Sequence, residues 1–384
     1  MRTSHKAKAD EVAVIVHKHF DMKGQQLSIG GTERKTRDVV SVLNAMGLPC
    51  VVYQKAEKAF SLQISEQVRI VGVPAKRGRL GDLFFNLKVF NLAQQARLRV
   101  YVGMHLAYPL CKRPCVVFNV GVWWDSPRMG HISRIVSKHI AKTVVKRANK
   151  TICVDANFIN WFRATYNIRD VDTKLCLIPN YVAPEIQESS EQCDVERKNK
   201  TIIVFPRRFQ YERGLYIFLE AVTNIVRDFP EVEVHMVGES HWREKEGFLQ
   251  SVVPADVLER IRLYSVPLDR VGSIYRFADI VVIPTVGCEG TSYSLIEAMF
   301  FGRPIVTTYV GGISNIAIDG FNAVVVAPLA DALECGIRRL LTDEQLRQRI
   351  STNACRTAQA LSFERWQRDV MSVVGKVLRE KTSA

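Results

Sequence analysis

The stretch that most constrains this chain runs from Ile283 to Pro304, IPTVGCEGTSYSLIEAMFFGRP. Ile280, Val281, Val282 and Ile283 form an unbroken apolar run of a length that suits a buried strand, and it stops at Pro284. A turn of small residues follows, Gly287-Cys288-Glu289-Gly290-Thr291-Ser292, and an apolar helix then begins. A helix that starts directly after a strand and a glycine-bearing turn offers unpaired N–H groups and the positive end of its dipole, so it is a ready place for an anion. Within that helix Glu297 stands among Leu295, Ile296, Ala298, Met299, Phe300 and Phe301. A carboxylate in such surroundings is costly unless something pairs with it. Two readings are open: Glu297 pairs with a local cation such as Arg303, or Glu297 and Glu289 flank a phosphate-friendly helix start and serve a ligand.

A second polar constellation lies upstream. The apolar run Thr201 to Phe205 leads into Arg207-Arg208-Phe209-Gln210-Tyr211-Glu212-Arg213-Gly214. Two cations, Arg208 and Arg213, on a loop after a strand can converge on one anion, and Gly214 permits a close approach. Read alone, this is a solvated basic loop. Together with the acidic motif downstream it reads as half of a site.

The combination E-G-x-x-x-x-x-L/I-E-A-M followed by G-x-P-I-V resembles the signature of retaining glycosyltransferases of family 4, with the GT-B fold. That family's paired glutamates map onto Glu289 and Glu297, and its G-R…K-G segment onto Arg208 and Arg213, with Arg207 in place of the glycine and arginine in place of the lysine. Weaker matches are Gly30-Gly31-Thr32-Glu33-Arg34, at the first strand-to-helix junction facing the donor phosphates in the family, Gly238-Glu239-Ser240 near the nucleotide, and Leu177-Ile178-Pro179-Asn180-Tyr181-Val182 at the end of the first domain. The run from Val310-Gly311-Gly312 through Asn322 to Pro328 is also similar. Departures are Asn315 where many members carry glutamate, and Thr291-Ser292 where many carry Phe-Gly. A histidine that relatives place near Val120 or Gly121 is missing, which leaves Asn119, Trp123 or Asp125 to substitute.

The remainder of the chain agrees with that architecture. Its 384 residues suit two domains rather than one core. Apolar strands alternate with helices, an α/β pattern with parallel sheets. No apolar run reaches the length of a membrane helix, and the basic N-terminus passes straight into a strand without a signal-peptide core, which predicts a cytoplasmic protein. The nine cysteines are scattered and odd in number, as expected of reduced thiols acting as small hydrophobes. Asp170-Val171-Asp172 spells the D-x-D of metal-dependent GT-A enzymes, but its place in a loop before a strand reads as a turn, and no metal follows from it.

A net charge of +14 calls for a partner of opposite sign. Basic residues recur at Arg134, Lys138, Lys142, Lys146 and Lys150, with Ile135, Val136, Ile140, Val144 and Val145 as an apolar side. This is a slanting basic stripe on an amphipathic helix, either a solvated outer face or a contact with an anionic membrane. Nucleic-acid binding is disfavoured, since no recognisable module and no stacking pattern of aromatic and basic residues is present.

The expectation is therefore a GT-B enzyme of two Rossmann-like domains facing across a cleft. Residues 1–182 would bind the acceptor, 183–362 the nucleotide sugar, and the helix 363–384 would cross back onto the first domain. What the resemblance implies is retaining, metal-independent transfer of a hexose of mannose, rhamnose or glucose type from a nucleotide sugar to a glycan or lipid-linked acceptor. It implies catalytic roles for Arg208, Arg213 and Glu289, and substrate contacts for Gly30, Gly31, Gly238, Gly290, Thr291, Ser292, Tyr293, Ser294 and Glu297. His105 joins them by position, just beyond a strand's carboxyl end. Expected partners are the nucleotide sugar, the acceptor and an anionic membrane surface at the inner face; no cofactor is expected. A nucleotide-sugar-binding scaffold without activity, or a nucleic-acid-binding protein, are the alternatives.

Overall fold

The computed structural model describes residues 5–27, 30–76, 78–188, 199–238 and 243–382. Arg77, Glu239, Ser240 and residues 189–198 of the expected linker lie outside them. The chain divides into two compact units. The first comprises Met1–Val120, Gly130–Ile178 and Trp366–Ala384, the second Gly121–Met129 and Pro179–Arg365.

The first unit holds eight strands: β1 (Val12–Ile15), β2 (Cys50–Ala56), β3 (Phe60–Ser65), β4 (Val68–Pro74), β5 (Leu98–Val102), β6 (Cys115–Asn119), β7 (Lys150–Cys153) and β8 (Leu175–Leu177). They lie in the order β3-β4-β2-β1-β5-β6-β7-β8, parallel except for β3, which runs antiparallel to β4 at the sheet's edge. Strands β1, β5 and β6 are buried at every residue, as apolar runs must be when helices cover both faces of a parallel sheet. Those helices include α1 (Gly31–Ala45), α2 (Arg79–Leu92), α3 (His131–Arg147) and α4 (Ala156–Thr165). From β1 the strands progress one way through β2, and from β5 the other way through β8, so the topological switch point lies between β1 and β5.

In the second unit six parallel strands, β9 (Thr201–Phe205), β10 (Val232–Val237), β11 (Ile261–Tyr264), β12 (Ile280–Ile283), β13 (Ile305–Thr308) and β14 (Val324–Val326), take the order β11-β10-β9-β12-β13-β14. Alternation along β9 divides the core. Ile203 and Phe205 join the cluster of Phe218, Val222 and Leu340, whereas Ile202 and Val204 join that of Tyr275, Leu295 and Met299. The switch point here lies between β9 and β12.

The last helix, Phe363–Thr382, begins in the second unit and from Trp366 onward belongs to the first. Trp366 is buried, with the ammonium of Lys35 from α1 4.7 Å from its ring centroid. Burial first, and the charge of Arg34, lower that ammonium to about 7 against the raising pull of Asp38.

One expectation is corrected. The inward face of α3 is Ser137, Ala141, Val144 and Val145, while Ile135 and Val136 of the expected apolar side are exposed. The small side chains of Ser137 and Ala141 let the helix sit close to its support, and the helical period then turns positions 132, 135, 136 and 139 outward.

Candidate functional site

The second switch point gathers much of the polar motif. After β12, the loop 284–292 folds back so that the carboxylate of Glu289 meets two guanidiniums from the loop after β9. Arg207 pairs with it directly, and Arg213 Nη1 donates at 2.7 Å. Thr285 Oγ1 donates to the same carboxylate oxygen at 3.2 Å, and Arg207 Nη1 donates to Ser292 Oγ at 2.7 Å. Burial pushes the Glu289 carboxyl up, but the two arginine charges outweigh it and hold the group below the usual carboxylate range. Arg207 is lowered, by burial first and by Arg213 as well, against the raising pull of Glu289. Two guanidiniums on one carboxylate leave a net positive charge beside the first turn of the helix Tyr293–Phe300.

Backbone geometry fixes this cluster. Gly214 adopts φ +81°, and a Cβ there would lie 1.7 Å from Pro284 O, so glycine alone lets the loop after β9 reach β12's exit. Gly311, at φ +58°, similarly leaves room for the Glu289 carbonyl, which accepts from Gly312 N–H at 3.0 Å. Gly290 and Thr291 complete the loop, with Asn180 Nδ2 donating to Thr291 O at 2.6 Å. Ser294 Oγ donates to Pro206 O at 2.9 Å, and the Tyr293 ring lies edge-on to Tyr181 at 5.8 Å.

The side chain of Arg208 is exposed, while Arg207, expected only to replace a glycine, is buried and carries the contact to Glu289. Alternation at the exit of β9 is the reason: Phe205 and Phe209 are held in the core, so the residue between them and next to Phe209 is turned outward. Glu297, 3% exposed, accepts from Tyr275 O–H at 2.8 Å. Arg303, the local cation weighed for it, donates to the carbonyls of Phe301 and Ala278. Gly238 follows β10 beneath the Phe209 ring, which a Cβ would meet at 2.7 Å.

The first switch point carries a different set. His105 lies in the single turn Met104–Ala107 after β5, and its ring centroid is 6.3 Å from that of His17, just past β1. Lys55 of β2 is buried and paired with Asp82 of α2, whose carboxylate is 4.0 Å from His17 Nε2. Desolvation, then the charges of His17 and Lys55, pulls the His105 imidazole down to about 4, and His17 is lowered by desolvation and by Lys55 and Lys18. The His105 side chain itself reaches solvent. Gly30 and Gly31 are the N-cap and first residue of α1, at the same sheet edge. Asn119 is fully buried at the end of β6, its carbonyl accepting from Val154 N–H at 3.2 Å, while Trp123 and Asp125 sit on the segment that belongs to the second unit. There Cys288 Sγ donates to Trp123 O at 3.0 Å, and Ser126 Oγ to Glu212 at 3.1 Å. Asp170 and Asp172 flank the start of a short helical turn, where Asp172 pairs with Arg163 at 3.1 Å.

Sequence reasoning missed Arg207, Thr285 and Tyr275 in the second unit, and His17, Lys55 and Asp82 in the first. A polar residue two positions past a strand's carboxyl end, as with His17, Arg207 and Thr285, is the signal that would have found some of them.

Two doubly wound parallel sheets, one of them bearing an arginine and glutamate cluster at its switch point, define the GT-B class of glycosyltransferase architecture. Residues 187–357 match the family described as Glycosyl transferases group 1. Phosphatidyl-myo-inositol mannosyltransferase of Mycolicibacterium smegmatis is 28% identical over 157 residues, covering 39% of this chain and 38% of that protein. The matched stretch thus spans less than half the length of that curated relative. Sucrose-phosphate synthase from Thermosynechococcus elongatus superposes with a TM-score of 0.74 at 18% identity, over 97% of this chain and 100% of the other. Anabaena Alr3699/HepE in complex with UDP and glucose superposes with a TM-score of 0.70 at 18% identity, over 95% and 99%. These two likenesses concern the fold.

Proposed function

We propose that the protein is a retaining, metal-independent glycosyltransferase that moves a hexose from a nucleotide sugar to a glycan or lipid-linked acceptor in surface polysaccharide or glycolipid synthesis. The observation that carries this reading is the Arg207–Glu289–Arg213 cluster at the β9/β12 switch point beside a helix start. In such a reaction the bond from the anomeric carbon to the diphosphate breaks, and negative charge grows on the leaving phosphate. Arg207 and Arg213, already placed and partly desolvated, stabilise that charge, together with the N–H groups at the start of the helix Tyr293–Phe300. The diphosphate draws the guanidiniums away from Glu289, which turns to a hydroxyl of the donor sugar. Glu297, oriented by Tyr275, accepts the nucleotide ribose hydroxyls. Among the described residues no second carboxylate is paired to Glu289 for a double displacement, so the leaving phosphate assists front-face attack by the acceptor.

In this reading the first unit binds the acceptor around His105, while Gly30 and Gly31 at the start of α1 face the donor phosphates. His105 and His17 beside the Lys55–Asp82 pair offer hydrogen bonds to sugar hydroxyls. The mycobacterial relative, a phosphatidyl-myo-inositol mannosyltransferase, supports a lipid-linked acceptor, and the +14 charge supports a cytoplasmic-side anionic membrane as the place of work. The missing histidine near Val120 favours a second reading, a scaffold that binds donor without transfer. A melting-temperature panel of nucleoside diphosphates and their sugars tests the site. A rise with one base, lost in Arg213→Ala and Glu297→Ala, is expected; no rise with any nucleotide overturns the proposal. Donor binding with no transfer to any acceptor would establish the scaffold.

A further inference from the structure

We infer that the first unit docks on an anionic lipid surface through an apolar crest on the first turns of α2 and α3, rimmed by the basic side chains of α3. Five large apolar side chains form the crest: Leu80 and Phe84, 73% and 60% exposed, and Ile132, Ile135 and Val136, 76%, 54% and 42% exposed. Single apolar residues on a surface are ordinary, but these fall at helical spacing on the outward stripes of two helices that share a support. Both helices pack against the turn Met104–Ala107. They meet around Tyr108, whose carbonyl accepts from Asn86 Nδ2 of α2 at 2.7 Å and whose ring lies 6.0 Å from His139 of α3. Both therefore lie on one face of the first sheet.

Charge selects the occupant. Helix α3 carries Arg134, Lys138, Lys142, Lys146 and Arg147 and no acidic residue in its seventeen. A cationic rim around apolar side chains matches an interface of anionic headgroups over acyl chains. A nucleic acid would satisfy the rim and leave the crest unused. The placement has a further consequence. Helix α2 starts after the carboxyl end of β4, and α3 ends immediately before the amino end of β7, so the first turns of both lie toward the sheet edge that bears His17, Lys55, Asp82 and His105. Docking would bring that polar group to the headgroup layer, where a lipid-linked acceptor presents its sugar; this consequence rests on the proposed function.

Co-sedimentation with phosphatidylcholine vesicles, with and without phosphatidylglycerol, tests the crest. The intact protein should sediment with the anionic vesicles and remain in solution with the neutral ones. Ile132→Asp/Ile135→Asp should weaken that binding about tenfold or more, since two apolar side chains no longer enter the interface. Lys138→Glu/Lys142→Glu should weaken it and flatten its salt dependence. Both pairs lie on exposed or half-exposed positions, and unchanged melting curves would show that the variants fold. Equal binding to neutral and anionic vesicles, no binding to either, or full binding by the folded Ile132→Asp/Ile135→Asp variant would each overturn the inference. The nucleotide melting panel on the same preparations separates the two proposals: vesicle binding without any nucleotide shift leaves the crest standing and removes the transferase reading, and the reverse removes the crest.

Discussion

The two switch points of this protein are built on the same topological plan and filled in opposite ways. Between β9 and β12 a carboxylate is locked by two guanidiniums and a threonine, all drawn from two loops. Between β1 and β5 the polar side chains come singly from β2, α2 and the exits of β1 and β5, and two of them are imidazoles that burial lowers. The first arrangement is preorganised for a fixed, highly charged ligand such as a diphosphate. The second is a softer surface of hydrogen-bonding groups, and a site of that kind can be varied without disturbing the charge balance of its neighbour.

Breaking the locked cluster should have the largest effect. Arg207→Ala strands Glu289 with one cation, and losing a partner from a buried ion pair costs about 3–5 kcal/mol, read as a lower urea midpoint. In the proposed reaction it should also lower turnover about a hundredfold or more, the scale of a removed charge stabiliser. Arg208→Ala is the control that sharpens this, since its exposed side chain should cost less than about 0.5 kcal/mol. If Arg208→Ala abolishes transfer and Arg207→Ala does not, the assignment within the pair is reversed.

Acid should discriminate between the units next. His19 is buried, and desolvation, helped by Arg37, lowers it to about 4 from 6.5. The unfolded chain then binds the extra proton between those values, so the first unit's full stability holds above pH 6.5 and declines as pH falls toward 4. The loss for this residue is on the order of 2–3 kcal/mol, and His19→Gln should flatten the pH dependence of melting in that window. An unaltered slope in the variant would place the acid sensitivity elsewhere.

Tyr275→Phe should have a smaller effect, about 1–3 kcal/mol, by removing a donor from the buried Glu297 carboxylate. A variant as stable as the parent would mean that Glu297 keeps its orientation through other partners. The smallest expected change is in Asp172→Asn, whose exposed pairing with Arg163 contributes about 0–1 kcal/mol.

Much of the second site was legible because its parts are local. The strand Ile280–Ile283, the small-residue loop and the helix Tyr293–Phe300 are contiguous, and an isolated glutamate in an apolar helix is visible in the sequence itself. Which arginine of Arg207 and Arg208 enters the cluster was not legible, because the packing of Phe205 and Phe209 sets the direction in which each side chain leaves the strand. The first unit's group was less legible still. His17, Lys55, Asp82 and His105 are spread over nearly ninety residues, and no local spacing links them.

By itself, then, the sequence determined the alternation of strands and helices, the two-unit size and the position of the acidic motif, since buried runs and turn residues act over a few neighbours. Tertiary structure decided three further things. It selected the inward face of α3, which follows the small side chains of Ser137 and Ala141 rather than the larger apolar ones. It assigned residues 121–129 to the second unit, through Trp123, Ser126 and their partners near Glu289. It joined Arg207 to Ser292 across 85 positions. Periodicity records which side chains tend to leave water; which surfaces then cover them is set by the whole chain at once.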